Sequence, residues 1–135
     1  MYETKKYGIL FIDDEGNTLS AFERFFEDDF TVFAVRSPVE ADAILKNKHS
    51  EIAVIISDNN FSKGLRGLDF IKKWRLEYPN IIRILTTAYS SEKLVIEAIN
   101  SGEIFRYIQK PWDIKYLEKT FQEAIDIFAK RKAIS

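Results

Sequence analysis

The chain has 135 residues, enough for one domain, and 46% of them are hydrophobic, so it can build a packed core and is not a disordered chain. Twenty Lys and Arg side chains against 21 Asp and Glu leave a net charge of −1, without the basic excess typical of nucleic-acid binding. Cysteine is absent and His49 is the one histidine, which excludes disulfide scaffolds, cysteine nucleophiles and multi-histidine zinc sites.

The first apolar run, Ile9–Ile12, is too short for a signal-peptide core or a membrane span. We therefore expect a protein that acts in the cytoplasm, without direct contact to a membrane or to nucleic acid. Residues 1–6 are predicted to be a short polar lead-in, residues 7–130 the domain itself, and residues 131–135 the end of the last helix or a tail.

Five short apolar runs, rich in Ile, Val and Phe, recur along the chain. They are Gly8–Ile12, Phe30–Val35, Ile52–Ile56, Ile81–Thr86 and Ile104–Ile108. Each run is nearly continuous rather than alternating, which is typical of strands that are buried on both faces.

Residues with helical spacing follow every run. They are Leu19, Phe22 and Phe26; Val39, Ala43 and Ile44; Leu68, Ile71 and Trp74; Leu94, Val95, Ala98 and Ile99; and Ile114, Leu117, Phe121, Ile125 and Phe128. Asn17-Thr18 predicts the start of the first helix, and Ser37-Pro38 supplies the cap and first turn of the second. Pro79 ends the third helix, and Gly102 is predicted to be a left-handed cap after the fourth.

Five strands that alternate with five helices predict an α/β fold with a parallel sheet, because parallel strands need crossover connections. Five strands are too few for an eight-stranded barrel. The prediction is a single doubly wound, five-stranded parallel sheet in the order 2-1-3-4-5, the flavodoxin-like arrangement.

In such a sheet the site lies beyond the carboxyl ends of the strands, where the strand order reverses. Strand 1 ends in Asp13-Asp14 and strand 3 ends at Asp58, so three carboxylates are expected to meet there. Clustered carboxylates repel one another and need a compensating cation, and hard oxygen ligands suit Mg²⁺. The glycine-rich phosphate loops of nucleotide sites are absent from the sequence.

Polar residues also end the last two strands. Thr87 follows strand 4 and Lys110 follows strand 5, so a hydroxyl and an ammonium group are expected over the acidic pocket. Such a pair can hold the oxygens of a transferred phosphoryl group. Separately, each could be an ordinary strand threonine or a solvated loop lysine.

Four sequence motifs identify a family resemblance. The segments ILFIDDE, IISD, LTTAYS and RYIQKPW resemble, in order and position, the receiver domain of two-component response regulators, over residues 7 to 130. The last motif is similar to a subset of receivers with a Lys-Pro-Trp ending, found joined to transcriptional activators, cyclic-di-GMP hydrolases and sensor kinases.

The resemblance implies a role for each matching residue. Asp58 is similar to the phosphoacceptor, and Asp13 and Asp14 to the acidic pair that holds Mg²⁺, for which Mn²⁺ can substitute. Asp14 is expected to be the more direct ligand, and the backbone carbonyl of Asn60 completes the metal site. Lys110 matches the lysine that contacts the phosphoryl group, and the resemblance implies a cis peptide bond between it and Pro111.

The same resemblance implies how the domain switches. Thr87 matches the switch hydroxyl and Tyr107 the switch aromatic side chain, while Asn60 and Tyr89 flank the path of attacking water and are expected to set the phosphorylated lifetime. The implied partners are a histidine kinase or phosphotransfer protein and an output domain that is missing from this chain or separate. Two copies are expected to pair through the fourth helix, fifth strand and fifth helix.

One segment departs from the family pattern. After Asp58 the family usually reads D-x-x-M-P-x-M-x-G, whereas this chain has Phe61-Ser62 in place of Met-Pro, and Gly67 comes one residue late. Gly64 and Gly67 predict a more mobile loop. The departure removes no residue that the resemblance assigns to the metal or the phosphoryl group.

Two other functions remain compatible with an acidic pocket on this fold. A hydrolase with an aspartate nucleophile usually needs a second aspartate two positions later as general acid, and that position is Asn60. A docking module without phosphorylation would not need Asp14, Asp58, Thr87 and Lys110 together. The sequence therefore favours a non-enzymatic, phosphoryl-accepting regulatory domain.

Overall fold

The computed structural model describes residues 4–88, 91–102 and 104–134. Its sheet has five parallel strands in the order β2-β1-β3-β4-β5, which confirms the predicted topology. The strands are β1 Gly8–Ile12, β2 Thr31–Val35, β3 Ile52–Asp58, β4 Ile82–Thr87 and β5 Arg106–Gln109.

Three strands reach further toward the site than the apolar runs predict: β3, β5 and β4, which ends at Thr87 rather than at Thr86. β3 continues through Ser57 and Asp58, because both residues pair in register with β4 although their side chains are polar. β5 begins at Arg106 rather than at Ile104 and ends at Gln109, immediately before Lys110. The ladder thus carries the chain to the residues that form the site.

Five α-helices connect and follow the strands: α1 Gly16–Phe26, α2 Pro38–Lys48, α3 Gly67–Glu77, α4 Glu92–Ser101 and α5 Ile114–Ile134. Short 3₁₀ turns occur at Thr4–Lys6, His49–Glu51 and Ser62–Gly64. Among the described residues, no helix is both long enough and apolar enough to cross a membrane.

The helix ends follow their capping residues, with one correction. Ser37 caps α2 as predicted, with its hydroxyl accepting from the Glu40 backbone N–H at 3.2 Å, and Gly102 ends α4 in the left-handed conformation at φ 66°. The predicted start of α1 at Asn17-Thr18 is wrong. The Glu15 carboxylate accepts from the backbone N–H groups of both residues, so the helix already begins at Gly16.

Contacts between helices identify two layers. Phe26 of α1 packs edge-on against Phe121 of α5, and the indole of Trp74 on α3 donates to Asp42 of α2 at 2.7 Å. Right-handed crossovers place α1 and α2 on opposite faces, because the chain runs outward from β1 to β2 and then returns across β1 to β3. The sheet is therefore covered on both faces, as its continuous apolar strands require.

Aromatic side chains make up much of the core beneath β1. Phe11 and Phe22 stack at 4.3 Å between ring centroids, and Trp112 packs edge-on against both rings. Burial of one such side chain stabilises the fold by about 1.5–3 kcal/mol. This packing anchors the end of β1 and the segment after β5, the two places from which Asp13 and Lys110 project.

The loop after β3 contains a glycine whose position allows no side chain. A Cβ atom at Gly67 would overlap the Asp58 carbonyl oxygen and lie 2.9 Å from Ser57 Oγ. Gly64, in the same loop at φ 73°, has open space where its Cβ would lie. Gly67, the glycine that comes one residue later than in the family pattern, therefore permits the close approach of α3 to the end of β3.

We predict that Gly67→Ala lowers the free energy of unfolding by about 1–3 kcal/mol, because the new methyl group displaces the backbone of Asp58. Gly64→Ala is the matched control and should cost less than Gly67→Ala, about 1 kcal/mol at the low end of the roughly 1–2 kcal/mol that a positive φ alone costs, because its Cβ would meet no neighbour. Urea denaturation measures both. Equal losses in the two variants would contradict the packing argument.

Candidate functional site

Three carboxylates meet at the carboxyl edge of the sheet, between β1 and β3. Asp13 and Asp14 directly follow β1, Asp58 ends β3, and one carboxylate oxygen from each lies within 4.8 Å of the other two. Asp13 and Asp58 are buried, whereas Asp14 is exposed. The structure therefore brings together the three residues that the sequence analysis expected at this edge.

The carboxylates line an open cavity of about 360 Å³. The residues around it are Asp13, Asp14, Glu15, Thr18, Asp58, Asn60, Ala88 and Lys110. Six of these eight residues carry a side-chain oxygen that could bind a metal ion. The donor set fits Mg²⁺, which prefers carboxylates, carbonyls and water.

Lys110 supplies the positive charge that the cluster needs. Its Nζ lies 2.6 Å from Asp13 Oδ2 and 3.5 Å from Asp58 Oδ1. Its backbone N–H donates to the Thr87 carbonyl at 3.0 Å, and the following Lys110–Pro111 peptide bond is cis, as predicted. Burial by itself would lower the pKa of Lys110, but Asp13 and Asp58 outweigh it and hold that pKa above its ordinary value.

Asp58 is shifted in the direction that an acidic cluster predicts. Burial raises the pKa of its carboxyl group above the ordinary value; the Lys110 ammonium opposes this shift, and the Asp13 charge adds to it. A carboxylate whose charged form is disfavoured gains from any ligand that brings positive charge. The site is therefore electrostatically prepared for a cation.

Asp13 and Asp14 have different surroundings. Asp13 already accepts a hydrogen bond from the Glu15 backbone N–H at 2.9 Å, in addition to its ion pair with Lys110. Asp14 accepts from the hydroxyl of Ser62 at 3.3 Å, on the solvent side of the pocket. This arrangement supports Asp14 as the more direct metal ligand of the two.

Thr87 and Asn60 lie next to each other beside the cluster. Thr87 is fully buried at the end of β4, and its Oγ1 accepts a hydrogen bond of 2.7 Å from the side-chain amide of Asn60. Tyr107, on β5, pairs in register with Leu85, and its hydroxyl oxygen is buried. Tyr89, the second residue expected to control the lifetime, lies outside the described residues.

Sequence reasoning missed three contributors to the site. Glu15 caps α1 and also lines the pocket, and Ser62 contacts Asp14 although it stands where the family pattern has proline. Trp112 donates its indole N–H to Thr86 at 2.9 Å, and its ring lies 5.8 Å from Lys110 Nζ. A capping acid and a half-buried indole each need a hydrogen-bond partner, which was the available signal. Ser62 carried no such signal.

Sequence comparison decides the family. The family described as response regulator receiver domain matches residues 9–122, which include Asp13, Asp14, Asp58, Thr87 and Lys110. The chain belongs to the response regulator receiver domain family. As a receiver domain it is a regulatory module of two-component signal transduction, and this family binds Mg²⁺ through acidic residues of the kind found here.

The curated relatives of this receiver domain are much longer proteins. It is 33% identical over 122 residues to the hydrogenase transcriptional regulatory protein HoxA of Cupriavidus necator, covering 90% of this chain and 25% of that protein. It is 26% identical over 111 residues to the alginate biosynthesis transcriptional regulatory protein AlgB of Pseudomonas aeruginosa, covering 79% of this chain and 23% of that protein. The chain thus spans about a quarter of the length of these relatives.

Solved structures agree with the fold and the family. The signal receiver domain of an HD domain-containing protein from Pseudomonas fluorescens is 27% identical with a TM-score of 0.84, covering 93% of this chain and 99% of that one. A response regulator receiver domain protein from Clostridium thermocellum is also 27% identical, with a TM-score of 0.83; the match covers 96% of this chain and 99% of that one.

We predict that Asp58→Asn raises the melting temperature by several degrees at pH 7 in magnesium-free buffer. The raised pKa means that folding disfavours the ionised carboxylate, so the wild-type fold loses stability as the pH rises through that pKa. The gain should therefore shrink in acid, below the ordinary value of 3.8. Thermal denaturation across pH measures it.

Asp28→Asn, in the turn after α1, is the control, because it removes one exposed negative charge outside the cluster. An equal gain in that variant would mean that overall charge, and not the buried cluster, accounts for the effect.

A second prediction concerns Ser62. Ser62→Ala should weaken Mg²⁺ binding by about tenfold, the low end of the roughly 10- to 100-fold effect of removing a hydrogen bond that orients a metal ligand, because this contact is exposed and 3.3 Å long. Ser62→Thr keeps the hydroxyl and should restore most of the affinity. Titration of intrinsic tryptophan fluorescence measures all three proteins. Unchanged affinity in Ser62→Ala would show that the contact with Asp14 has no role in metal binding.

Proposed function

We propose that Asp58 accepts a phosphoryl group from a phosphohistidine of a histidine kinase or phosphotransfer protein. The observation that carries the proposal is the meeting of three carboxylates within 4.8 Å with Lys110 between Asp13 and Asp58. Clusters of this kind suit phosphoryl transfer, because catalysis there depends on positioning and on neutralising the charge of the transferred group.

The ion would be held by Asp13, Asp14, Asp58 and the backbone carbonyl of Asn60, and Mn²⁺ could replace Mg²⁺. Once bound, it supplies positive charge beside the phosphoryl oxygens. Asp14 would be a direct ligand, because its carboxylate faces solvent and contacts only Ser62 among the contacts described above. Asp13 would act mainly through water, because it also holds Lys110 and the Glu15 backbone.

The chain's own residues carry the transfer. A carboxylate oxygen of Asp58 attacks the phosphorus atom, the phosphorus–nitrogen bond breaks, and the imidazole of the donor leaves. Lys110 sits 3.5 Å from Asp58 and donates hydrogen bonds to the phosphoryl oxygens as negative charge accumulates on them. Aspartyl phosphate formation then completes the reaction.

The switch uses Thr87 and Tyr107. A hydroxyl group can accept one hydrogen bond while donating another, so Thr87 can keep its bond from Asn60 and donate to a phosphoryl oxygen. This donation would draw the end of β4 inward and change the position of Tyr107. The altered surface is α4, β5 and α5, where Ile96 and Ile99 are exposed, and two copies could pair there.

Asn60 and Tyr89 would control the lifetime of the phosphoryl group by restricting the approach of water. The domain would extend over residues 7–130, with α5 continuing to Ile134. We place the protein in the cytoplasm. We regard it as a regulatory domain rather than an enzyme, because Asn60 occupies the position of the general acid that aspartate-nucleophile hydrolases use.

The output of the switch is proposed to lie outside this chain. The relatives are named as transcriptional regulatory proteins, and the chain spans about a quarter of their length. The Lys110-Pro111-Trp112 ending is compatible with a subset of receivers that are joined to transcriptional activators, cyclic-di-GMP hydrolases or sensor kinases. Control of transcription is the output that the relatives favour.

Incubation with acetyl phosphate and Mg²⁺ tests the proposal. We predict a mass gain of one phosphoryl group in the wild-type protein, no gain in Asp58→Asn, and full gain in the surface control Asp28→Asn. Intact-mass spectrometry measures all three proteins. Phosphorylation of Asp58→Asn at full yield would remove Asp58 from its role, and steady release of phosphate without a stable adduct would favour a hydrolase.

A further inference from the structure

The loop that departs from the family pattern is closed on itself. The Gly67 backbone N–H donates to the Asn59 carbonyl at 2.9 Å, and the Phe61 backbone N–H donates to the Leu65 carbonyl at 3.0 Å. Between these bonds, Asn60 and Arg66 face each other as an antiparallel bridge. The backbones of Asn60 and Arg66 therefore cannot move independently.

The side chain of Arg66 ties this loop to α4. Its Nη1 and Nη2 donate to the two carboxylate oxygens of Glu97 at 3.1 and 3.0 Å, a two-pronged ion pair. The same guanidinium contacts Asp69 of α3, and Lys72 of α3 reaches Glu97 at 3.3 Å. Such a bidentate contact between a planar guanidinium and a carboxylate fixes the orientation of the two groups as well as their distance.

Asn60 makes the second connection of the loop. Its side-chain amide donates to Thr87 Oγ1 at 2.7 Å, at the end of the strand that leads into α4. The end of β4 is thus joined to the loop through Thr87, and α4 is joined to it through Glu97. Asn60 lies between these two connections and next to the phosphoacceptor strand.

We propose that Arg66 is a positioning residue of the phosphorylation site, whose ion pair with Glu97 holds the Asn60 backbone in place for metal binding. This inference rests on the proposed function, because it assigns to the Asn60 carbonyl the role of metal ligand. It also makes α4 and the metal site mutually dependent, since a coupling between two sites acts equally in both directions.

The charges of the cluster support a lasting contact. Hydrogen bonds from Arg66 and Lys72 lower the pKa of Glu97 to about 2, so this carboxylate stays ionised at every pH near neutrality. A single exposed ion pair contributes little to stability. The two-pronged geometry and the shared partners make this one a network, in which only the Arg66–Glu97 contact joins the loop to α4.

The four members of the network provide charge-matched variants. Arg66→Gln and Lys72→Gln each remove one positive charge near Glu97, but only the first releases the loop. Glu97→Gln and Asp69→Asn each remove one negative charge near Arg66, but only the first releases α4. Each pair is therefore matched in the charge that is removed, and the two members differ in whether the contact between the loop and α4 is lost.

The test is Mg²⁺ titration of the full chain, followed by tryptophan fluorescence and by calorimetry. We expect Arg66→Gln and Glu97→Gln each to weaken Mg²⁺ binding by about tenfold relative to its charge-matched control, the low end of the roughly 10- to 100-fold effect of removing a supporting contact around a metal ligand. The double variant Arg66→Gln/Glu97→Gln should bind Mg²⁺ no more weakly than the single variant with the lower affinity, because both substitutions break the same contact. Arg66→Lys, which keeps the charge but loses the second prong, should be intermediate.

Equal affinities within both pairs would overturn the inference while leaving the proposed function intact, and so would fully additive losses in the double variant. Absence of Mg²⁺ binding by the wild-type chain would overturn the proposed function and the inference together. Circular dichroism spectra verify folding, and Arg66→Lys decides the question if Arg66→Gln does not fold.

Discussion

The acidic cluster is held together by one half-buried ammonium group, that of Lys110. Asp13, Asp14 and Asp58 each place a carboxylate oxygen within 4.8 Å of the other two, so their negative charges repel one another, and burial together with the Asp13 charge raises the pKa of Asp58. Lys110, at 2.6 Å from Asp13 and 3.5 Å from Asp58, compensates part of that repulsion. Three carboxylates and one ammonium group leave a negative excess, which favours a bound cation.

Much of the tertiary structure serves to keep Lys110 at this position. Lys110 follows β5 at the far edge of the sheet, whereas Asp13 follows β1 near its middle, with β3 and β4 between them. The Trp112 indole bonds to Thr86 on β4 and packs on Phe11 and Phe22, which fastens the segment after β5 to the core. Packing in the apolar core therefore holds Lys110 in position at the charged site.

The loop between β3 and α3 shows how a departure from a family pattern can be accommodated. Gly67 lets the helix approach the Asp58 carbonyl, Ser62 replaces a proline and gains a hydroxyl beside Asp14, and Arg66 reaches α4. The predicted mobility of this loop takes no account of these bonds. Backbone hydrogen bonds within the loop and ion pairs at its end restrain a segment that its glycines alone would leave loose.

The sequence by itself determined the strands, the helices, their order in the sheet and the edge at which the chemistry lies. Continuous apolar runs and helical spacing are local signals, and the crossover rule converts them into one topology that brings Asp13, Asp14 and Asp58 together. The tertiary structure alone decided which partners these groups have: Ser62 for Asp14, Asn60 for Thr87, and Glu97 for Arg66. These pairs are separated by 48, 27 and 31 positions in the chain, and hydrogen bonds depend on distances of a few tenths of an ångström. No periodicity or spacing encodes such distances, because packing of the whole core sets them.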